Sequence, residues 1–193
     1  MRVAALPGYG RPAAGQDLRP RALAERVLAC SGDAARVVLA GHSASCQVVA
    51  HAAALAPGRV RGLVLVGPTT DPRAASWPRL AGRWLRTAAH ETPRQAPALA
   101  RQYHRTTLRT MARAMDAARH DRIDRTLTGV DGRLLVVRGR HDRICRADWG
   151  GSLVDPAAGG RLVTLPAGGH MVPHTHGGLV APVVDALVGE AGA

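Results

Sequence analysis

The sequence contains no phenylalanine and no lysine, and only two tyrosines and three tryptophans. So small an aromatic share, 3%, excludes a nucleic-acid surface built on exposed stacking rings. Cysteine is also scarce: Cys30, Cys46 and Cys145 are far apart, odd in number and form no C-x-x-C pair. A disulfide framework and a cysteine-based zinc site are thereby excluded, and a reducing, cytoplasmic setting is expected. No apolar run approaches the roughly 20 residues that span a bilayer, so no membrane span is expected. The first residues lack the charged-then-apolar order of a signal peptide. Acidic residues number 14 against 26 basic ones, all arginine, for a formal charge of +12. That charge permits attraction to anions. The missing lysine and the abundance of Ala, Gly and Arg read instead as codon bias toward G and C, and nucleic acid is not expected as a partner. No pattern fixes an oligomeric state.

What is present is an ordinary globular composition, 46% hydrophobic over 193 residues. One domain, 1–193, is the natural reading, with enough apolar surface for a core without staples. Arg2–Leu6, "RVVLAG" (36–41), "RVRGLVLVGP" (59–68), "RLLVVRG" (133–139) and "RLVTLP" (161–166) read as strands, the later ones continuously apolar. "DLRPRALAERVLACSG", "ASCQVVAHAAALA" and "PVVDALVGE" read as helices, the last with Pro182 near its first turn. The alternation predicts an α/β fold: a predominantly parallel sheet of about five strands with helices on both faces. Residues 71–125 interrupt it as an Arg-rich helical insertion.

Gly41-His42-Ser43-Ala44-Ser45 falls between a predicted strand and a predicted helix. A serine there is either an ordinary N-cap or a nucleophile held out of the sheet on a sharp turn, which needs small residues on both sides. A hydroxyl nucleophile needs a base, and the base an orienting acid. Asp142 follows the strand 133–139, and His170 follows the strand 161–166. Parallel strands end on one edge of their sheet, so Ser43, Asp142 and His170 are expected to converge there. Asp71, after the strand 59–68, is the alternative acid. His42 is expected to pack, His51 to be structural, His141 to lie on the surface, and Cys46 to be buried within its helix.

"GHSAS", "RGRHD" and "GGH", each after a strand, resemble the α/β-hydrolase superfamily over roughly residues 2–190. Ser45 departs from its usual G-x-S-x-G. The resemblance implies Ser43 as nucleophile, His170 as general base, Asp142 as orienting acid and the Ala44 amide as one oxyanion donor. It implies a small-molecule substrate, a carboxylic ester or related acyl compound, and no metal or organic cofactor. Hydrolysis of a C–C bond beside a ketone is the alternative chemistry. It also implies strands ahead of a "PGYG"-type turn, one of which carries a second oxyanion donor. Here "PGYG" begins at residue 7, so the fold is expected to be N-terminally shortened. Either the nucleophile strand then has an open edge, or Val3–Leu6 pairs with Val37–Ala40 and Gly8, Tyr9 or Gly10 offers a surrogate amide. The alternative to an enzyme is a non-catalytic or truncated hydrolase-like domain with an incomplete oxyanion hole.

Residues 71–125 fall where the resembled family inserts its cap. Trp77, Leu80, Trp84, Leu85, Leu99, Tyr103, Leu108, Met111 and Met115 are candidates for an apolar cavity. Leu108, Met111, Met115 and Ala118 share helical spacing. Arg101, Arg105, Arg109 and Arg113 recur every fourth residue. The stripe is expected to be a solvated face, with Arg105 and Arg109 as candidate contacts to an acidic substrate group.

Overall fold

The computed structural model describes residues 2–13, 15–32, 34, 36–130, 133–155 and 159–192. Its first elements are a tight turn: among the described residues, β1 (Leu6–Pro7) pairs with β2 (Gly10–Arg11) and with no strand of the main sheet. Helix α1 (Pro20–Cys30) follows, with proline at its start, where no amide partner is lost. Four apolar segments then form the main sheet. β3 (Val37–His42), β4 (Val60–Val66), β5 (Arg133–Gly139) and β6 (Arg161–Leu165) lie side by side in that order, all parallel.

The central pair, β4 and β5, explains the continuous apolar runs. Leu63, Val64, Leu65 and Leu134 to Val137 are essentially inaccessible because helices cover both faces. On one face α2 (Ser45–Leu55), α6 (Ile123–Leu127) and α7 (Ala147–Val154) bring Val49, Ala53, Ile123, Leu127, Trp149 and Leu153 onto Leu63, Leu65, Leu134 and Val136. On the other, α8 (Val172–Thr175) and α9 (Gly177–Gly192) bring Val172, Val180 and Leu187 onto Val64, Val66, Leu135 and Val137. Each buried Val, Leu or Ile side chain among these contributes about 1.5–3 kcal/mol. Helix α1 packs on α2 instead, through Leu23, Ala24 and Val27 against Val48 and Ala52, with Leu6 at the margin.

Three expectations need correction. The main sheet has four strands: Arg2 to Ala5 form no regular structure, and Val3 is 85% exposed. Only Leu6 of that run is buried, against α1 and α2. Val3–Leu6 therefore does not pair with Val37–Ala40, and β3 has β4 as its one neighbour among the described residues. Val37, Val38 and Leu39 are half-buried and Ala40 is exposed. Pro182 lies inside α9, because that helix starts at Gly177 rather than beside the proline.

The arginine stripe is also broken. The helices α3 (Trp77–Ala88), α4 (Ala96–Thr106), α5 (Leu108–His120) and α6 lie between β4 and β5. Thr107 takes φ 64°, a left-handed conformation rare for a β-branched residue, and its hydroxyl accepts from the Thr110 amide to open α5. Arg101 and Arg105 thus sit on one helix and Arg109 and Arg113 on the next. Among the described residues, no helix is long and apolar enough to cross a membrane.

Candidate active site

The turn after β3 is tightly built. Ser43 has φ 56°, unusual for a serine and held there by bonds on both sides. Its amide donates to the Val66 carbonyl at 2.9 Å, and its carbonyl accepts from the Cys46 amide at 3.0 Å. A Cβ on Gly41 would stand 2.8 Å from the Ser45 carbonyl oxygen and from a Val49 methyl, so only glycine fits. Ser45 accommodates its departure from the usual glycine by folding back onto the strand. Its Oγ accepts from the His42 amide at 2.9 Å and donates to the His42 carbonyl at 2.8 Å. Ala44 caps α2 with its amide free of any protein acceptor among the described residues.

Strands β5 and β6 deliver the other two groups to the same edge. The Ser43 hydroxyl lies 2.8 Å from His170 Nε2, and His170 Nδ1 lies 2.9 Å from Asp142 Oδ2. Asp142 and His170 are each 1% exposed. The Asp142 carboxylate is fixed by its other oxygen, which accepts from the Ile144 and Cys145 amides at 2.8 and 2.9 Å. Arg138, buried in β5, holds that loop by donating to the carbonyls of Asp142 and Cys145. A carboxylate only accepts, so the proton of His170 sits on Nδ1 and Nε2 is left to accept from Ser43. Such a relay can draw a proton from a hydroxyl as it attacks a carbonyl carbon. Gly67, with φ +55°, passes beside it: a Cβ there would lie 3.0 Å from His170 Nδ1 and 3.1 Å from Asp142 Oδ2.

The backbone of His170 is held as firmly as its ring. His42 Nε2 lies 2.9 Å from the His170 carbonyl. Burial, with His170 nearby, pushes the His42 imidazole down to about 3, so it is neutral and donates from Nε2. On the other side, Glu91 Oε1 accepts from the amides of His170 and Met171 at 2.6 and 2.9 Å. The sequence reading missed Glu91. One signal was there: it is the only acidic residue between Asp71 and Asp116, in a strongly basic stretch.

Other predicted residues lie elsewhere. Asp71 is buried in an ion-pair cluster, 2.9 Å from Arg73 Nε and 2.8 Å from an Arg83 amino group. Burial pushes its carboxyl up, and these hydrogen bonds outweigh that and hold it below the usual range. Cys46 is fully buried, its thiol pushed up by burial. His51, in α2, pairs with Asp121 at 2.7 Å and does not line the cavity beside Ser43. His141, half-buried, stacks on His90 with ring centroids 4.3 Å apart. The amides of Gly8 and Tyr9 are spent inside their own turn, on the Arg11 and Leu6 carbonyls, both at 2.9 Å. They cannot serve as surrogate oxyanion donors in this arrangement, and Gly10 does not line the cavity beside Ser43.

That cavity is about 180 Å³. Besides the relay residues, Trp84, Leu99, Met111, Ala114 and Met115 give it an apolar lining, with Gly8, Tyr9 and His174. Leu85 and Leu108 are instead 74% and 72% exposed, and the Tyr103 side chain lies outside the described residues. Arg109 lines a separate groove of about 1090 Å³ between α1 and α5, and Arg105 lines neither space. Both arginines are exposed, as expected of a solvated stripe, and neither lines the cavity beside Ser43. Among the described residues, no group of three or more His, Cys, Asp or Glu side chains is placed to hold a metal ion.

Known proteins place this architecture. A hydrolase from Oleispira antarctica superposes with a TM-score of 0.77 at 14% identity, over 93% of this chain and 78% of that one. A meta-cleavage product hydrolase from Pseudomonas fluorescens gives 0.71 at 14% identity, over 96% and 78%. A thermophilic esterase from Thermogutta terrifontis gives 0.69 at 16% identity, over 90% and 73%. These likenesses establish the fold. Among curated protein sequences, none matches. The sequence model described as "Alpha/beta hydrolase family" matches residues 3–183, and the chain belongs to that family.

Proposed function

We propose that the protein is a serine hydrolase of small carboxylic esters or related acyl compounds, acting through an acyl-enzyme on Ser43. The observation that carries this reading is the unbroken hydrogen-bond chain Ser43–His170–Asp142, at 2.8 and 2.9 Å. His170 takes the Ser43 proton as Oγ attacks the carbonyl carbon. The charge that develops on oxygen faces the free Ala44 amide at the start of α2, where the helix dipole adds to it. His170 then protonates the leaving group, and a water activated by the same imidazole releases the acyl group. Asp142 holds the imidazole in the tautomer this needs and stabilises it when charged. The helices of residues 71–125 act as the cap: Trp84, Leu99, Met111 and Met115 exclude water and favour a small apolar acyl or alcohol group. The named activities of the structural likenesses, an esterase and a meta-cleavage product hydrolase, agree with acyl chemistry and keep C–C bond hydrolysis as its closest variant.

One observation favours a second reading, a hydrolase-like domain without turnover. Among the described residues, the Ala44 amide is free beside Ser43, while those of Gly8 and Tyr9 are consumed. Loss of one oxyanion donor costs about 10²- to 10³-fold in rate. Hydrolysis of p-nitrophenyl acetate and butyrate separates the two readings. The first expects turnover that Ser43→Ala abolishes. Absence of turnover in the folded wild type favours the second, and turnover that survives Ser43→Ala contradicts the assignment of Ser43 as nucleophile.

A further inference from the structure

The end of α3 touches both loops that carry the relay. The hydroxyl of Thr87 accepts from the Arg143 amide at 3.1 Å, beside Asp142. His90 stacks on His141, whose amide donates to the Gly168 carbonyl at 3.0 Å. Glu91 goes further: a single carboxylate oxygen receives two consecutive amides, those of His170 and Met171. Its other oxygen accepts from Gln95 Nε2 at 3.1 Å, so the carboxylate is anchored within residues 71–125. The approach is close enough to restrict the sequence beneath it. A Cβ on Gly169 would lie 2.5 Å from Glu91 Oε1, so the glycine before His170 makes room for this carboxylate. With the His42 bond to the His170 carbonyl, both backbone polar groups of His170 have fixed partners.

We propose that Glu91 is a positioning residue for His170, tying the orientation of the imidazole to the seating of the helical insertion. The carboxylate touches neither Ser43 nor the ring. It acts by fixing the peptide planes on either side of the His170 Cα, which set where Nε2 points. Charged acceptors make the stronger amide bonds, and a displacement of about 1 Å in such a relay costs on the order of 10²-fold in rate. The proposal rests on the serine-hydrolase reading and predicts a loss in kcat without a matching change in KM, because Glu91 does not line the cavity beside Ser43.

The rate of covalent modification of Ser43 by a fluorophosphonate probe, with kcat and KM on p-nitrophenyl butyrate, tests it. Glu91→Ala is expected to lower the modification rate and kcat by about ten- to a hundredfold, with KM within about twofold. Glu91→Gln is expected to recover most of the loss. Its amide oxygen can still take both backbone donors, and its new NH₂ can reach Gln95 Oε1, which is buried without a partner. If Glu91→Ala does not fold, Gln95→Ala, which frees only the far oxygen, is expected to lower kcat by a few-fold with KM unchanged. Equal modification rates in wild type and a folded Glu91→Ala, or a Glu91→Gln no better than Glu91→Ala, would overturn the proposal. A wild type that the probe never modifies overturns the hydrolase reading instead.

Discussion

The two sides of the site are built to different standards. On the side of β5 and β6, every polar atom of the relay has a partner. Asp142 receives two amides as well as the imidazole, and His170 is held at both ring nitrogens, its amide and its carbonyl. On the side of β3, the strand that leads to Ser43 has, among the described residues, one neighbouring strand, and most of its residues are half-buried. In the proposed reaction, proton transfer draws on the first side and stabilisation of an oxyanion on the second. For the proposed serine-hydrolase reaction, this means that the acid–base groups are fully partnered, while the only support offered for an oxyanion, among the described residues, is the Ala44 amide.

The largest effect expected from a single substitution is on the well-built side. Asp142→Asn should lower kcat by about 10³- to 10⁴-fold, because an amide facing Nδ1 no longer selects the required tautomer. Asp71→Asn should leave kcat within about threefold yet cost about 2–3 kcal/mol in stability, since Arg83, 15% exposed, loses its carboxylate. Ester kinetics beside urea unfolding separate the two. The reverse result would move the acid to Asp71 and undo the comparison.

A smaller effect follows from the half-buried His42. Its imidazole is neutral down to about pH 3 in the folded protein, whereas the unfolded chain protonates it near 6.5. Between those values the unfolded state binds the extra proton, so stability is full above about pH 6.5 and falls as the pH drops. The loss should be about 2 kcal/mol by pH 5. His42→Asn, which keeps a donor for the His170 carbonyl, should flatten that part of the profile in urea titrations at pH 7 and 5. An unchanged slope would show that His42 is not the group responsible.

The smallest effect on folding belongs to the open edge. Ala40 is exposed on β3, and an unpaired apolar edge invites association. Ala40→Lys should change stability by less than about 0.5 kcal/mol while delaying the onset of light scattering on heating. Identical onset in the two proteins would mean that the edge is not what associates.

The strands were legible where burial was two-sided. In β4 and β5 the apolar runs need no alternation, and their ends at Gly67 and Gly139 were visible as glycines. The convergence of Ser43, Asp142 and His170 on one sheet edge followed from strand order alone. Arg2–Leu6 misled because an apolar run shows β propensity and says nothing of whether a neighbour exists to pair with. The four arginines of the stripe are exposed, as expected of a solvated face, but their period of four runs across Thr107, where the backbone turns, so they belong to two helices rather than one. Glu91 was invisible for a different reason. Its partners are backbone amides about 80 residues away, and such contacts leave no periodic trace.

The central claim, that Ser43 is an activated nucleophile despite the open edge beside it, is tested most directly by intact-mass and peptide mapping after treatment with a fluorophosphonate. The account predicts one adduct per chain, located on Ser43 and absent from Ser43→Ala and from wild type unfolded in urea. A folded wild type that remains unmodified at millimolar probe, or an adduct on any other residue, would contradict it.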